Sequence, residues 1–368
     1  MICKLREAVM IICLLFGFVS PALAEIRVTD LYDRHVTLEK PANRVLLGFH
    51  FEDFMAIVGP DAMNRVVAVS LEPWKDWRPA QYAAYIKAMP AISDLVDVGS
   101  TSTQTFSIEK ALTARPDLVI LANWQFKALG ESVTQFDQAG IPIVVVDFQS
   151  QTLEKHLASI LLIGQVMGAD GRAKRIADNY RRAVEDVLER IGKAGPSSKR
   201  IYVELARGGP SEIGNSYGKA MWGGIIAQLR SINIASDYIE NWGPLRAEFI
   251  LRRQPDVIFL SSAEWASYPE AVIIGFDTGH KLANERIDAY LQRPGWRDLP
   301  AVKTGDIHVV YHGGLGTVFD YTYIQYLAKA IYPEVFTDMD PAGELSKFYE
   351  DWMPIKARGV FMMKYRDN

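Results

Sequence analysis

The stretch IEKALTARPDLVILANW, Ile108 to Trp124, has a counterpart in AEFILRRQPDVIFLSSAEW, Ala247 to Trp265. Each copy runs from a Glu through a helical turn or two to Pro-Asp, then through four apolar residues, then into a polar loop ending in Trp. Glu109 precedes Pro116 by seven residues and Glu248 precedes Pro255 by seven. A helix that stops before a proline, with Asp opening a buried strand, is a generic helix-to-strand connection. The alternative is that two lobes each present one equivalent helix, acidic near its N-terminal end, to a common partner.

Outward from the first copy, RVLLG, RVVAVS, DLVILA and IPIVVVDF are short apolar runs bounded by Gly, Pro or Asp, with helical segments such as SIEKALTAR and SVTQFDQAG between them. Continuous Val/Ile/Leu runs of this kind read as buried parallel strands. Ahead of them, IRVTDLYDRHVTLEKPANRVLLG alternates polar and apolar residues, which predicts an edge hairpin with its turn at Pro41-Ala42-Asn43. From Thr152 to about Gly192 the pattern is helical. LEKHLASILLIGQVMG is one amphipathic segment; DGRAKRIADNYRRAVEDVLERIG is a second, with Asp170 as N-cap and Ile176, Tyr180, Val184, Val187 and Ile191 on one stripe. Gly195-Pro196-Ser197-Ser198 breaks it, and RIYVEL, DVIFLSS and DIHVVY resume the strands. The fold expected is α/β: two lobes, each with a mainly parallel central sheet flanked by helices, joined by one long helix. The divisions expected are a signal peptide at 1–24, an N-terminal lobe at 25–165, a connecting helix at 166–195 and a C-terminal lobe at 196–368.

Of 368 residues, 49% are hydrophobic and 23% charged, enough for two ordinary cores. Lys4 and Arg6, the apolar run Val9–Val19 and Ala22-Leu23-Ala24 form the pattern of an export signal cleaved after Ala24, which places the mature chain in the periplasm. Ile12 precedes Cys13 where lipidation would require a small residue, so both cysteines, Cys3 and Cys13, leave with the signal. Without Lys4, Arg6 and Glu7 the charge balance moves from 40 basic against 44 acidic residues to 38 against 43. An acidic chain with no basic run is not built for nucleic acid or an anionic membrane surface.

The opening VTDLYDRHVTLEKPANRVLLG, then SIEKALTARPDLVILA, the long helix, AEFILRRQPDVIFL, and the tail LPAVKTGDIHVVY with DYTYIQYLAKAIYPEVF resemble, in this order, the class III (metal-chelate) substrate-binding proteins of ABC importers. The likeness covers nearly all of residues 25–350, and the tail is most similar to a subgroup of iron-complex binders that includes molybdate or tungstate binders. The resemblance implies a ligand in a cleft between lobes and small closing motions about the helical hinge. It also implies that one surface Glu per lobe, here Glu109 and Glu248, docks onto arginines of an inner-membrane permease dimer. Paired carboxylates of that kind steer and orient more than they tighten. The expected function is capture of a metal chelate, an Fe(III)-siderophore first, with haem, a corrinoid or an oxyanion such as molybdate as alternatives, by a monomer that is not an enzyme and carries no cofactor.

Ligands of such sheets sit beyond the carboxyl ends of the strands. Those ends supply His50 and Phe51, then Trp74, Trp77 and Arg78, then Trp124, in the first lobe; Arg207 with Tyr217, Trp265, and Tyr311 with His312 in the second. Aromatic faces with two arginines suit a flat or aryl-bearing anionic chelate. His308 and His312 stand four apart in an expected strand, roughly 13 Å, too far to share one metal ion. A hydrolase with Asp147 or Glu204 as base beside His50 or His312 is the competing class, but no G-x-S-x-G or H-E-x-x-H occurs. Asp338–Gly343 lacks the later ligands of a calcium loop, and Asp340 reads as a helix cap instead. Gly313-Gly314-Leu315-Gly316 follows a strand without dinucleotide-loop spacing.

Overall fold

The structure is a computed structural model that describes residues 25–265 and 267–366, so the expected signal sequence and both cysteines lie outside the described residues. An antiparallel hairpin, β1 (Ile26–Thr29) and β2 (His35–Leu38), opens the chain. Its turn lies at Asp30–Arg34 and not at Pro41–Asn43. The Asp30 carboxylate accepts the Tyr32 and Arg34 amides at 2.9 and 3.0 Å, and Asp33 adopts a left-handed conformation, φ 59°. Five parallel strands follow: β3 (Val45–Leu47), β4 (Val66–Val69), β5 (Val96–Asp97), β6 (Leu118–Ala122) and β7 (Ile143–Val146), in the order β5-β4-β3-β6-β7. Every residue of β3, β6 and β7 is buried, which is why they read as unbroken apolar runs.

Helix Leu153–Met167 leads into the 25-residue connecting helix Asp170–Ala194. Ile176, Tyr180, Val184, Val187 and Ile191 are all on its buried stripe. Asp170 is its first helical residue, not its N-cap: the backbone bond Ala169 N to Gly164 O closes the preceding helix one residue ahead and puts Ala169 at the cap.

The C-terminal lobe builds β8 (Arg200–Leu205), β9 (Asn215–Tyr217), β10 (Ile232–Asn233), β11 (Trp242–Pro244), β12 (Val257–Ser262), β13 (Gly275–Phe276), β14 (Ile307–Tyr311), β15 (Gly359–Val360) and β16 (Met362–Lys364). Its main sheet runs β10-β8-β12-β14-β16, parallel except for β16. No helix among the described residues is long and apolar enough to cross a membrane.

The repeated template is a shared structural joint. Asp117 accepts the Asn43 and Arg44 amides at the start of β3, at 2.9 and 2.8 Å; Asp256 accepts the Arg200 amide at the start of β8, at 2.8 Å. The Arg44 guanidinium reaches back to the carbonyls of Ala114 and Arg115, and that of Arg200 to the carbonyl of Arg253. Both helices end on a left-handed residue before the proline, Arg115 and Gln254, each with φ 49°. Each Asp thus registers its own strand against a neighbour in the same way in both lobes.

Candidate ligand cleft

In each sheet the chain reverses its direction of strand addition once, and there the loops beyond the strands diverge into a crevice. In the first lobe this point lies between β3 and β6, and it brings together Phe49 and Trp124, with ring centroids 5.5 Å apart. In the second it lies between β8 and β12, whose ends carry Arg207 and Trp265.

Arg78 precedes helix Pro79–Ala88 and holds its guanidinium 5.6 Å from the Phe49 ring centroid. The residue is 8% exposed, yet among the described residues its guanidinium makes no hydrogen bond or ion pair. Arg207 likewise lacks an ion pair and lies 5.0 Å from the Tyr268 ring centroid. Both arginines act on His312, which follows β14 and is half-buried. Burial first, then the positive fields of Arg78 and Arg207, push its imidazole down to about 3, so the ring is neutral. Trp222, a donor only, gives its Nε1 hydrogen to Ser261 Oγ at 2.7 Å, and the same Oγ lies 3.0 Å from His312 Nδ1. Trp265 lies 5.8 Å from the His312 ring, and its Nε1 is buried without an acceptor. One guanidinium from each lobe and a set of N–H donors thus gather around His312, an arrangement that complements an anion.

Of the residues singled out in the sequence, Arg78, Trp124, Arg207, Tyr217, Trp265 and His312 gather at the two crevices. Tyr217 is buried, its hydroxyl 3.4 Å from His312 Nδ1. His50 is also buried: its Nδ1 bonds Asp53 Oδ2 at 2.8 Å, its ring meets Phe148, and its Nε2 has no partner. The structure does not bring Phe51 and Trp74 to the cleft wall. They stack at 4.5 Å inside the first lobe's core, Trp74 fully buried against Tyr85. Trp77 is half-buried and packs on that core. Tyr311 is buried between Phe276 and Phe361, its hydroxyl unpartnered.

The two carboxylates weighed as catalytic bases are saturated. Asp147 accepts from Lys155 Nζ at 2.7 Å and Ser150 Oγ at 2.6 Å; burial works against its charge, but these donors hold its carboxyl below the usual range. Glu204 is held by both arms of Arg293, at 2.7 and 2.9 Å, by Tyr202 and by the Gly214 amide. Neither is free to take a substrate proton. His308 does not share a site with His312: it lies within β14, with Nδ1 2.9 Å from the Tyr326 hydroxyl, and burial pushes it down to about 3. Among the described residues no cluster of three or more His, Asp or Glu is placed to hold a metal ion.

Three features escaped the sequence reading. Glu264, beside Trp265, buries both carboxylate oxygens without a partner. Glu52 is enclosed by Gln81, Tyr85 and Tyr349, which donate at 2.8, 2.6 and 2.7 Å. The glycine loop after β14 leads to an interlobe anchor: Asp53 accepts the Val318 amide at 2.7 Å, and Asp320 accepts from Gln151, His156 and Tyr180.

Glu109 and Glu248 are both exposed second residues of short helices, Ile108–Thr113 and Ala247–Arg253, and neither forms an ion pair among the described residues. Beside Glu248 lies an open concavity of about 720 Å³ that includes Arg246, Phe249 and Arg252.

A family model described as periplasmic binding protein matches residues 54–311. The molybdate-binding protein MolA of Haemophilus influenzae is 22% identical over 94% of this chain and 95% of its own. The crystal structure of the TroA-like periplasmic binding protein FepB from Veillonella parvula superposes with a TM-score of 0.87 at 30% identity, over 93% of this chain and all of that one. The structure of the Haemophilus MolA with bound molybdate gives a TM-score of 0.68 at 18% identity, over 90% of this chain and 99% of that one.

Proposed function

The chain belongs to the periplasmic binding protein family, the class III substrate-binding components of ABC importers and not an enzyme family, and from that membership we propose that it captures an oxyanion between its lobes. The observation that carries this reading is the pair of unpaired arginines, Arg78 and Arg207, one from each lobe, whose fields meet at the neutral His312. Arg78 is buried and Arg207 half-buried, and neither pairs with a carboxylate among the described residues; burying an unpaired guanidinium is costly, and an anion seated between the two pairs with both at once. Binding then draws the lobes together, because neither arginine alone completes the site. The relationship to a molybdate-binding protein supports a small tetrahedral oxyanion.

The aromatic faces of Phe49, Trp124 and Trp265 favour a second reading, an anionic metal chelate such as an Fe(III)-siderophore, in which π surfaces bear on the chelator and the arginines on its oxygens. Titration calorimetry of the mature protein with molybdate, tungstate and a ferric catecholate separates them. Tight one-to-one binding of a tetrahedral oxyanion supports the first; exclusive binding of the catecholate refutes it and supports the second.

On this reading the protein is exported, cleaved after Ala24, and docks as a monomer on its permease through Glu109 and Glu248. Their matched helix positions, exposure and lack of ion pairs support that role.

A further inference from the structure

We propose that Glu264 is a ligand-binding residue of the cleft, present as a neutral carboxylic acid that donates a hydrogen bond to an oxygen of the bound anion. The proposal rests on the cleft reading and adds a residue and a regulation to it. Glu264 follows β12 at the carboxyl edge of the second sheet, one residue before Trp265. Both its oxygens are buried without a hydrogen-bond partner, as are the neighbouring Tyr311 hydroxyl and Trp265 Nε1. The backbone is shaped to admit this carboxyl: a Cβ at Gly275, where φ is 130°, would lie 2.0 Å from Glu264 Oε1.

The charged and titratable groups around it are few. Arg78 faces it from the opposite lobe, and Tyr311 from β14; Glu52 and Tyr323 bear on it through Tyr311 and Arg78. Burial pushes the Glu264 carboxyl up to about 8; the nearby amides of Glu264 and Phe276, the charge of Arg78 and the Tyr311 hydroxyl, none of them in hydrogen-bonding geometry with its oxygens, only partly oppose this. The carboxyl therefore keeps its proton at neutral pH and adds a donor to a cleft already supplied with donors by Arg78 and Trp265. The acceptor that answers them is the ligand, an oxyanion whose oxygens carry no proton of their own. Once ionised, Glu264 repels that anion and offers Arg78 a rival carboxylate, so affinity falls as pH rises through about 8.

The test uses molybdate, a dianion throughout the range, in calorimetric titrations of the mature wild type, E264Q and E264A at about pH 6.5 and about pH 9.5, either side of the Glu264 transition. Wild type loses affinity about tenfold or more between the two conditions. In E264Q, whose amide replaces the protonated carboxyl, that pH dependence disappears, while E264A binds more weakly at both. E264Q with the wild-type pH profile, or E264A with wild-type affinity, overturns the proposal. If wild type takes up no molybdate at either pH, the oxyanion reading fails and the infrared difference between wild type and E264Q at neutral pH decides about Glu264. A protonated-carboxyl C=O band in wild type supports the neutral acid; its absence overturns it.

Discussion

Replacing Asp320 by Ala tests the anchor between the lobes. Asp320 is wholly buried and accepts four hydrogen bonds: Gln151 Nε2 at 2.9 Å, His156 Nε2 at 3.0 Å, the Tyr180 hydroxyl at 2.8 Å and the Gly316 amide at 3.1 Å. The His156 ring stacks on Tyr180 at 4.9 Å. Burial opposes a charge on His156, but the carboxylate and hydrogen bond of Asp320 outweigh it and raise the imidazole above its ordinary 6.5. Removing the carboxylate leaves a buried imidazolium without its counter-charge, a loss of about 3–5 kcal/mol. His156 can limit that loss by releasing its proton, which makes the effect pH-dependent with a definite sign. A histidine raised in the folded state contributes stability that is fully present below 6.5 and lost as pH rises through the folded value. The difference between wild type and D320A is therefore largest at about pH 5.5 and smaller at about pH 8.5, where the unsatisfied donors of Gln151, Tyr180 and Gly316 remain, each costing roughly 1–3 kcal/mol. Urea denaturation at the two pH values measures both, with Y180F as a control that costs about 1 kcal/mol at either. A loss below about 1 kcal/mol at the lower pH, or an equal loss at both, refutes the reasoning.

Truncating Arg78 or Arg207 to Ala removes one of two facing charges from the anion and lowers affinity by about 2–5 kcal/mol in calorimetry, mainly through faster release. The double variant E109A/E248A binds ligand as wild type does but fails in an uptake assay in cells; full uptake contradicts the docking role. Burial lifts the Glu52 carboxyl from 4.5 to about 7 against the hydrogen bonds of Tyr85 and Tyr349. Its contribution to stability is therefore complete below 4.5 and is lost as pH rises through about 7, on the order of 3 kcal/mol, and E52Q flattens that part of the urea-midpoint profile.

The strands were legible because β3, β6, β7, β12 and β14 are buried along their whole length, so apolar residues dominate there, with Ser261, Ser262 and His308 as the buried polar exceptions. The connecting helix was legible because only one stripe of it is covered. The hairpin turn was misplaced because Pro41 is a conspicuous breaker, whereas the actual turn is made by the Asp30 side chain and a left-handed Asp33, for which YDR gives a fainter signal. For the site, sequence located the strand ends but not the direction of each side chain. Arg207 packs on Tyr268 and His312 on Trp265 beyond the strand ends, while Phe51 and Trp74, from equally good positions, turn into the core. Glu264 lay in a loop already singled out. An acid beside Trp265 reads as a solvated charge until both its oxygens are found buried without partners. The Asp320 anchor depends on residues 140 and more positions apart, which no local pattern reveals.

The central claim, an anionic ligand held by one arginine from each lobe, is met most directly by native mass spectrometry with metal analysis. The sample is the chain as isolated from the periplasm of its source cells. The account predicts a one-to-one adduct on the wild type, identified by mass and metal content, that is absent from R78A/R207A prepared in the same way. An adduct carried equally by the double variant contradicts it.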